Sequence, residues 1–232
     1  MKKFELTGEF VTNIFGKKLF RIRALVAFGD VEAGELGGYV EKEENLSDDG
    51  DAWVYGDAWV YGNARVYGDA WVSGDARVSG DAWVSGDARV SGDARVYGDA
   101  WVSGDARVYG DARVYGDARV YGDARVSGDA WVSGDAWVSG DAWVSGDARV
   151  SGDARVSGDA DILQITGLGT VHRTTTVFRT PDGVRISCGC FYGDLDAFRE
   201  QVKKTREGKV QREYLKFAEL VEIYFGEDKE DD

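Results

Sequence analysis

The chain contains 232 residues, and its 42 acidic and 28 basic side chains give a formal net charge of −14. Such an acidic balance argues against general binding to nucleic acids or anionic membranes, because both attract proteins through a basic field. No run of about 18 apolar residues suggests a transmembrane helix, and the first residues lack the apolar core of a secretory signal. We therefore expect a cytoplasmic protein whose two cysteines are reduced thiols.

Residues 1–35 predict an N-terminal β cap. Between Leu19 and Leu25, apolar residues alternate with arginines, which is the period-two pattern of a half-buried strand. A tight turn at Gly16-Lys17-Lys18 separates this segment from an earlier apolar one, which contains Phe10, Val11, Ile14 and Phe15. The simplest interpretation is a hairpin. From Leu36 the apolar spacing approaches six residues, which predicts a degenerate first turn of the repeat that follows.

The centre of the chain is a six-residue repeat. From Gly50 to Ser157 the unit Gly-Asp-Ala-(Trp/Arg)-Val-(Tyr/Ser) occurs eighteen times without an insertion. In extended backbone, Ala and Val share one face, while Asp, Trp or Arg, and Tyr or Ser share the other. We expect five-residue strands with Ala and Val inside, joined at single glycine corners, because glycine adopts turn conformations without strain.

Units of this length lack the two-residue turn of a hairpin, so they favour a parallel coil instead. Three units per turn give an 18-residue triangular coil, and eighteen units give six regular coils. We predict an all-β solenoid, a three-sided parallel β-helix over residues 36–163. Its open ends would be exposed sheet edges, so the flanking segments are interpreted as caps.

The repeat, with Val as the large inward residue and Ala two positions before it, resembles the hexapeptide-repeat left-handed β-helix superfamily. Left-handedness is implied by that resemblance alone, and the right-handed helix of bactofilin-type proteins is the alternative. The chain is also similar to uncharacterised phage and prophage proteins of gut bacteria. That similarity rests on Leu36-Gly37-Gly38-Tyr39-Val40, the Gly-Asp-Ala-Arg-Val tract and Ser187-Cys188-Gly189-Cys190-Phe191. It implies location in a bacterial host cell and no established activity.

Residues 164–232 predict a small α+β cap with its own core. Two strands, 171–180 and 184–191, flank the turn Pro181-Asp182-Gly183. Asp194 is a candidate N-cap for a helix that stops at Gly208, and a second helix is expected over 211–225, before an acidic tail.

The outward positions differ between units, so any recognition surface is expected there. Folding in threes stacks residues 18 apart and creates two runs of three arginines on adjacent faces. Together with nearby aromatic side chains, these runs form a candidate site for a planar anionic ligand. Its residues are Arg77, Arg95, Arg113, Arg89, Arg107, Arg125, Tyr97, Tyr109, Tyr115 and Trp131.

A structural interpretation competes with that one. Stacked Trp and Arg, with Trp131 between Arg113 and Arg149, would stabilise a coil whose core is thin, and Asp columns beside Arg columns would add ion pairs. Eight outward indoles are also more apolar surface than most soluble monomers expose. We therefore expect a homo-oligomer, a dimer or trimer through a coil face.

Proteins with this type of coil are best known as acyltransferases, which implies a catalytic histidine. The only histidine, His172, lies outside the coil, and no loop interrupts the repeat to build a pocket. His172, Cys188 and Cys190 could supply three zinc ligands, but the fourth is missing, so packing thiols are favoured and no metal or cofactor is expected.

We predict a non-enzymatic scaffold that displays repeated Trp, Arg and Tyr surfaces for self-association or ligand binding. The alternative is a phage-encoded protein that sequesters a small anionic, nucleotide-like signal molecule. An acyltransferase relic is the third possibility.

Overall fold

The computed structural model describes residues 2–226, so the predicted acidic tail at 227–232 lies outside the described residues. The protein is a β-solenoid of about seven turns with three parallel sheets, preceded by a β region and followed by a small sheet with helices. The predicted fold class is therefore confirmed.

The N-terminal region is a hairpin that extends one sheet of the solenoid. It contains β1 (Phe4–Thr12) and β2 (Lys18–Ala24), which pair antiparallel, and β3 (Leu36–Val40). Strand β3 is antiparallel to β2 and parallel to the solenoid strand Trp59–Val60. Asn13 closes the hairpin, because its Oδ1 accepts hydrogen bonds from the backbone N–H groups of Phe15 and Lys17 at 2.9 and 3.0 Å. Ile14 and Phe15 therefore lie in the turn, 91% and 73% exposed, and not in a strand as their apolar character suggested.

Eighteen short strands follow, one for each unit. They are β4 (Trp53–Val54), β5 (Trp59–Val60), β6 (Arg65–Val66), β7 (Trp71–Val72), β8 (Arg77–Val78), β9 (Trp83–Val84), β10 (Arg89–Val90), β11 (Arg95–Gly98), β12 (Trp101–Val102), β13 (Arg107–Val108), β14 (Arg113–Gly116), β15 (Arg119–Val120), β16 (Arg125–Val126), β17 (Trp131–Val132), β18 (Trp137–Val138), β19 (Trp143–Val144), β20 (Arg149–Val150) and β21 (Arg155–Val156).

Every third strand belongs to the same sheet, and this order gives the solenoid its three faces. Face 1 is the sheet β4-β7-β10-β13-β16-β19, face 2 contains β5-β8-β11-β14-β17-β20, and face 3 is β6-β9-β12-β15-β18-β21. Paired residues are 18 positions apart, as predicted; for example, Val90 pairs with Val108. From Trp53 to Trp137, the backbone N–H of each central outward residue donates to an alanine carbonyl in the next coil, as from Arg107 to Ala124 at 2.9 Å.

The strands are shorter and the corners longer than expected. Most strands contain only the central outward residue and Val, so the prediction of five-residue strands is wrong. The corner includes Asp as well as Gly. At the corner between β4 and β5, the N–H of Ala58 donates to the carbonyl of Tyr55, across Gly56 and Asp57. Gly56 has φ of 60° there, a value that the first central position of a tight hairpin-type turn requires.

The core is a column of alanine and valine that is closed at both ends by larger side chains. Every repeat Ala and Val is at most 1% exposed. At the N-terminal end Trp53 is fully buried beneath Phe4 and Phe28, whose rings meet its indole edge-on at 6.3 and 5.4 Å. Phe178 is fully buried and closes the other end from the C-terminal sheet. Such large residues fit only at the ends, because inside the coil the next layer occupies that space.

The predicted degenerate first turn is present but has a different length. Tyr39 pairs with Trp59 and Leu46 bridges to Val66, so this turn is offset by 20 residues instead of 18. A short 3₁₀ turn, Glu43–Asn45, precedes Leu46. The two additional residues lie after it, between Leu46 and Trp53, because Trp53 pairs with Trp71 at the regular offset of 18. The buried side chain of Asn45 donates to the carbonyls of Gly62 and Ala64 at 3.2 and 2.8 Å, which satisfies backbone groups of the layer that follows.

The C-terminal cap is an antiparallel sheet covered by two helices. After a 3₁₀ turn at Asp159–Asp161 come β22 (Ile162–Leu168), β23 (Arg173–Thr180), β24 (Gly183–Cys188), β25 (Phe191–Gly193), α1 (Leu195–Thr205) and α2 (Gly208–Phe225). The sequence did not predict β22. Asp194 caps α1 as predicted, since its side chain accepts from the N–H of Ala197 at 2.8 Å. Within residues 2–226, neither helix has the length and apolar character needed to cross a membrane.

Candidate functional site: the outward ladders of the coil

The coil places its variable side chains in straight columns on flat faces. Inward Ala and Val are constant, so successive coils are superimposable, and the parallel register puts each outward residue directly over the one 18 positions earlier. The outward columns of the three faces are therefore those predicted from the sequence. What each column can bind depends on its order of Trp and Arg.

Face 3 is a continuous ladder of stacked aromatic and guanidinium groups. Trp83 and Trp101 stack with centroids 5.0 Å apart and rings 3° from parallel. The Arg119 guanidinium lies between Trp101 and Trp137, 5.3 Å from each ring. The Arg155 guanidinium lies 4.5 Å from the Trp137 ring on its other side. Each of these arginines has an indole partner, so the cation–π contacts of the ladder stabilise the face.

Faces 1 and 2 contain the predicted arginine runs, which we call the Arg triplets. On face 2, Arg77 and Arg113 stack on indoles at 4.6 and 5.1 Å. Arg95 lies between them and, among residues 2–226, has no aromatic partner within cation–π distance. On face 1 only Arg89 of its triplet stacks on an indole, at 4.9 Å from the Trp71 ring, and Arg107 and Arg125 follow it along the column. The structure thus brings three of the predicted arginines together on each face.

The predicted ion pairs between Asp and Arg columns are not formed, so that part of the sequence interpretation is wrong. Within residues 2–226, no repeat arginine has a carboxylate oxygen within 4.0 Å. The physical reason is the corner: each repeat Asp sits in the turn beside Gly, whereas each Arg stands at the middle of a strand. The Arg triplets are therefore columns of like charge at strand spacing, about 4.8 Å.

The predicted tyrosines divide between two faces. Tyr97 and Tyr115 form a parallel stack on face 2, with centroids 5.0 Å apart and rings at 2°. Burial and the neighbouring Tyr115 raise the pKa of the Tyr97 hydroxyl above its ordinary value. Tyr115 also meets Trp131 edge-on at 6.3 Å. Tyr109 belongs to face 1 and so lies apart from this pair, next to the column of Arg107.

Trp131 has the predicted position, with guanidinium groups of Arg113 and Arg149 each 5.1 Å from its ring. The prediction of eight outward indoles needs correction, because Trp53 is buried by the N-terminal cap. Most of the others are half-buried against neighbouring side chains, and only Trp101 and Trp143 expose large fractions, 42% and 51%. The exposed apolar surface is therefore smaller than the sequence suggested.

The cysteines and the histidine do not form the cluster considered from the sequence. Cys188 ends β24 and accepts a hydrogen bond from the Thr175 hydroxyl at 3.1 Å, whereas Cys190 is exposed in the turn that follows. His172 precedes β23 in a turn, with its Nδ1 3.2 Å from the carbonyl oxygen of Gly167. Within the described residues, no three His, Cys, Asp or Glu side chains come close enough to hold a metal ion.

Comparison with protein families agrees with this geometry. Six segments of the coil, residues 58–74, 70–86, 88–104, 106–120, 118–134 and 148–160, match the family described as YdcK Beta solenoid repeat. A comparison with curated proteins gave no match. The family match and the stacked parallel coils identify the chain as a β-solenoid repeat protein. The resemblance to hexapeptide-repeat and phage proteins stays a prediction.

Proposed function

We propose that this protein is a non-enzymatic scaffold, a rod capped at both ends that associates with copies of itself through its coil faces. The eighteen units are uninterrupted, so faces 1 to 3 are flat and offer extended contact surfaces without a catalytic pocket. Three clefts of about 510–550 Å³ lie at the ends of the coil. Flat, repetitive faces suit a repetitive partner, and a second copy of the chain is the partner with the same repeat.

The observation that carries the proposal is that, among residues 2–226, the Arg triplets have no carboxylate within ion-pair distance. Exposed Asp rows stand at the corners, as at Asp93, Asp105 and Asp111, and share the strand spacing of about 4.8 Å with the arginines. A second rod laid alongside can therefore place a row of Asp opposite a row of Arg over several coils. Each pair is a weak interaction when exposed, but a matched row at an interface adds many of them and selects the register.

Sedimentation velocity across the micromolar range tests this proposal. The wild type should sediment as a dimer or trimer that dissociates as salt is raised, because screening weakens exposed ion pairs. The double variant R95E/R107E should be monomeric. The matched control R119Q, on face 3, should keep the wild-type state. A single species at monomer mass, or a variant that assembles like the wild type, would contradict the proposal.

A second candidate function is capture of a small planar anion on face 2. The parallel stack of Tyr97 and Tyr115 lies beside Arg95 and Arg113, so aromatic rings and two guanidinium groups, of which that of Arg113 also stacks on Trp131, are adjacent. Such a pairing suits a base and a phosphate group. A phage-encoded protein that sequesters a nucleotide-like signal would need this chemistry. Native mass spectrometry of protein purified from a bacterial lysate should then show a retained ligand that R95E/R113E loses.

An acyltransferase relic is the least supported possibility. His172 is exposed and held by a backbone carbonyl in the C-terminal cap, and none of the Arg triplet residues adjoins it. An acyltransferase would need the histidine beside a donor site. Acyl transfer that is abolished by His172→Ala would favour the enzyme over the scaffold.

A further inference from the structure

A polar cleft of about 520 Å³ lies where the last coil meets the C-terminal sheet. Its walls come from two parts of the chain: Asp147 and Arg149 from the end of face 2, and His172, Arg173, Thr176 and Cys190 from the cap. The sequence could not predict it, because its residues are up to 43 positions apart and only the docking of β23 on the coil brings them together. Neither the ladders nor the proposed association uses this cleft.

Two arginines converge on the floor of the cleft at Gly189. The Arg149 guanidinium donates to the carbonyl of Gly189 at 3.4 Å. The Arg173 side chain passes directly over the same residue, so a Cβ at position 189 would lie only 2.4 Å from its Nη1. Gly189 also has φ of 62°, which glycine adopts freely. Glycine therefore lets the two guanidinium groups approach each other above one turn.

These arginines have no carboxylate partner among the described residues. Asp147 lines the cleft but does not come within ion-pair distance of either guanidinium. Two like charges near one another repel, and an oxyanion placed between them would relieve that repulsion. Arg149 is held in place on one side by Trp131, 5.1 Å from its guanidinium, and through its backbone N–H, which donates to Thr176 Oγ1 at 3.2 Å.

His172 gives an independent indication of a site. Among residues 2–226 it is the one non-glycine residue with positive φ, at 48°. A backbone conformation of this kind costs about 1–3 kcal/mol in a non-glycine residue, and such strain is concentrated at binding and catalytic sites. Here it occurs at a residue that lines the cleft, beside Arg173.

We propose that this cleft binds a small oxyanion, of the class of inorganic phosphate or a phosphate monoester, between the guanidinium groups of Arg149 and Arg173. Guanidinium groups bind such oxygens through paired N–H donors, and the hydroxyl of Thr176 and the imidazole of His172 lie along the wall to complete the contacts. Asp147 faces the same space and favours a protonated or hydroxylated group on the ligand over a second anionic group. The cleft would add a ligand site to the scaffold, distinct from the Arg triplets.

Isothermal titration calorimetry with inorganic phosphate at constant ionic strength tests the proposal, with chloride as the reference anion. The wild type should bind phosphate at one saturable site. R173Q and R149Q should each weaken binding by about tenfold or more, because each removes charge-assisted hydrogen bonds. R107Q is the matched control on face 1, and R95Q/R113Q excludes binding at the triplet of face 2. Both controls should bind as the wild type does.

The Cys190 thiol provides a second readout. In a C188S background, phosphate should slow alkylation of Cys190 by iodoacetamide, and R173Q should abolish this protection. R173Q is the decisive variant, since it alters an exposed side chain and leaves the Trp131 contact intact; its far-UV circular dichroism should match the wild type. Phosphate binding no stronger than chloride binding, unchanged affinity in R173Q, or an alkylation rate indifferent to phosphate would each overturn the proposal.

Discussion

Replacing Gly104 by alanine should destabilise the coil far more than the same change at Gly56. Both residues are corner glycines with positive φ, 66° and 60°, so alanine costs about 1–2 kcal/mol of backbone strain at either one. At Gly104 the new Cβ would also lie 3.0 Å from the nitrogen and 3.2 Å from the oxygen of Gly122, in the next coil. At Gly56 the nearest atoms are 3.8 and 3.9 Å away, which is ordinary contact.

Relieving the contact at Gly104 requires the two coils to separate locally, and overpacking of this kind costs about 1–3 kcal/mol. We therefore expect G104A to lose about 2–5 kcal/mol and G56A about 1–2 kcal/mol. Urea unfolding followed by far-UV circular dichroism measures the difference, with the midpoint used as the comparison because repeat proteins can depart from two-state unfolding. Equal losses in the two variants would refute the argument that stacked corners set the cost.

Three further predictions concern the ladders and the caps. R119Q should lower the free energy of unfolding by about 1–2 kcal/mol in urea titrations, because it removes two indole contacts. R107Q should be neutral or stabilising, since it relieves repulsion between like charges. Equal effects of the two variants would argue against stabilisation by the ladder. The pKa of Lys3 is lowered mainly by its burial, against the attraction of nearby carboxylates, and its Nζ donates to the carbonyls of Gly50 and Ala52 at 3.1 and 2.9 Å. Between that lowered pKa and the ordinary 10.5, the unfolded chain binds more protons at Lys3 than the folded chain does, so stability should rise with pH in this range. Melting measured as a function of pH should show this rise in the wild type and not in K3M. F178A should cost about 3–5 kcal/mol in thermal or urea unfolding as it opens the end of the core, while I223A, at a side chain 78% exposed, should change stability by less than about 0.5 kcal/mol.

The regular part of the fold could be predicted because the repeat constrains it at every position. Identical units must adopt equivalent conformations, and only the Ala and Val face can be buried in a closed coil. The 18-residue register, the three outward columns and the position of Trp131 between two arginines all follow from that constraint. Periodicity does not reveal how much of each unit is turn, so the strand length was predicted incorrectly.

The ends of the coil depend on contacts that the repeat does not encode. Trp53 has the sequence context of any outward indole, yet it is buried because Gly37 in the first turn leaves room for its ring, where a Cβ would lie 2.7 Å from Trp53 Cζ2. The missing ion pairs have a similar origin, since the placement of Asp within the corner depends on turn geometry. The cleft at Arg149 and Arg173 arises only when the cap docks.

The stacking of residues 18 apart is the claim on which the ladders, the Arg triplets and the caps all depend, and engineered cysteines test it directly. With Cys188 and Cys190 replaced by serine, S85C/S103C places two thiols on neighbouring strands of face 3, at a spacing of about 4.8 Å that a disulfide can bridge. The control S85C/S91C places them on different faces, around a corner. Mild oxidation followed by mass spectrometry should show a rapid intramolecular disulfide in the first variant and none in the second. A disulfide that forms as fast in S85C/S91C, or none in S85C/S103C, would contradict the three-faced coil.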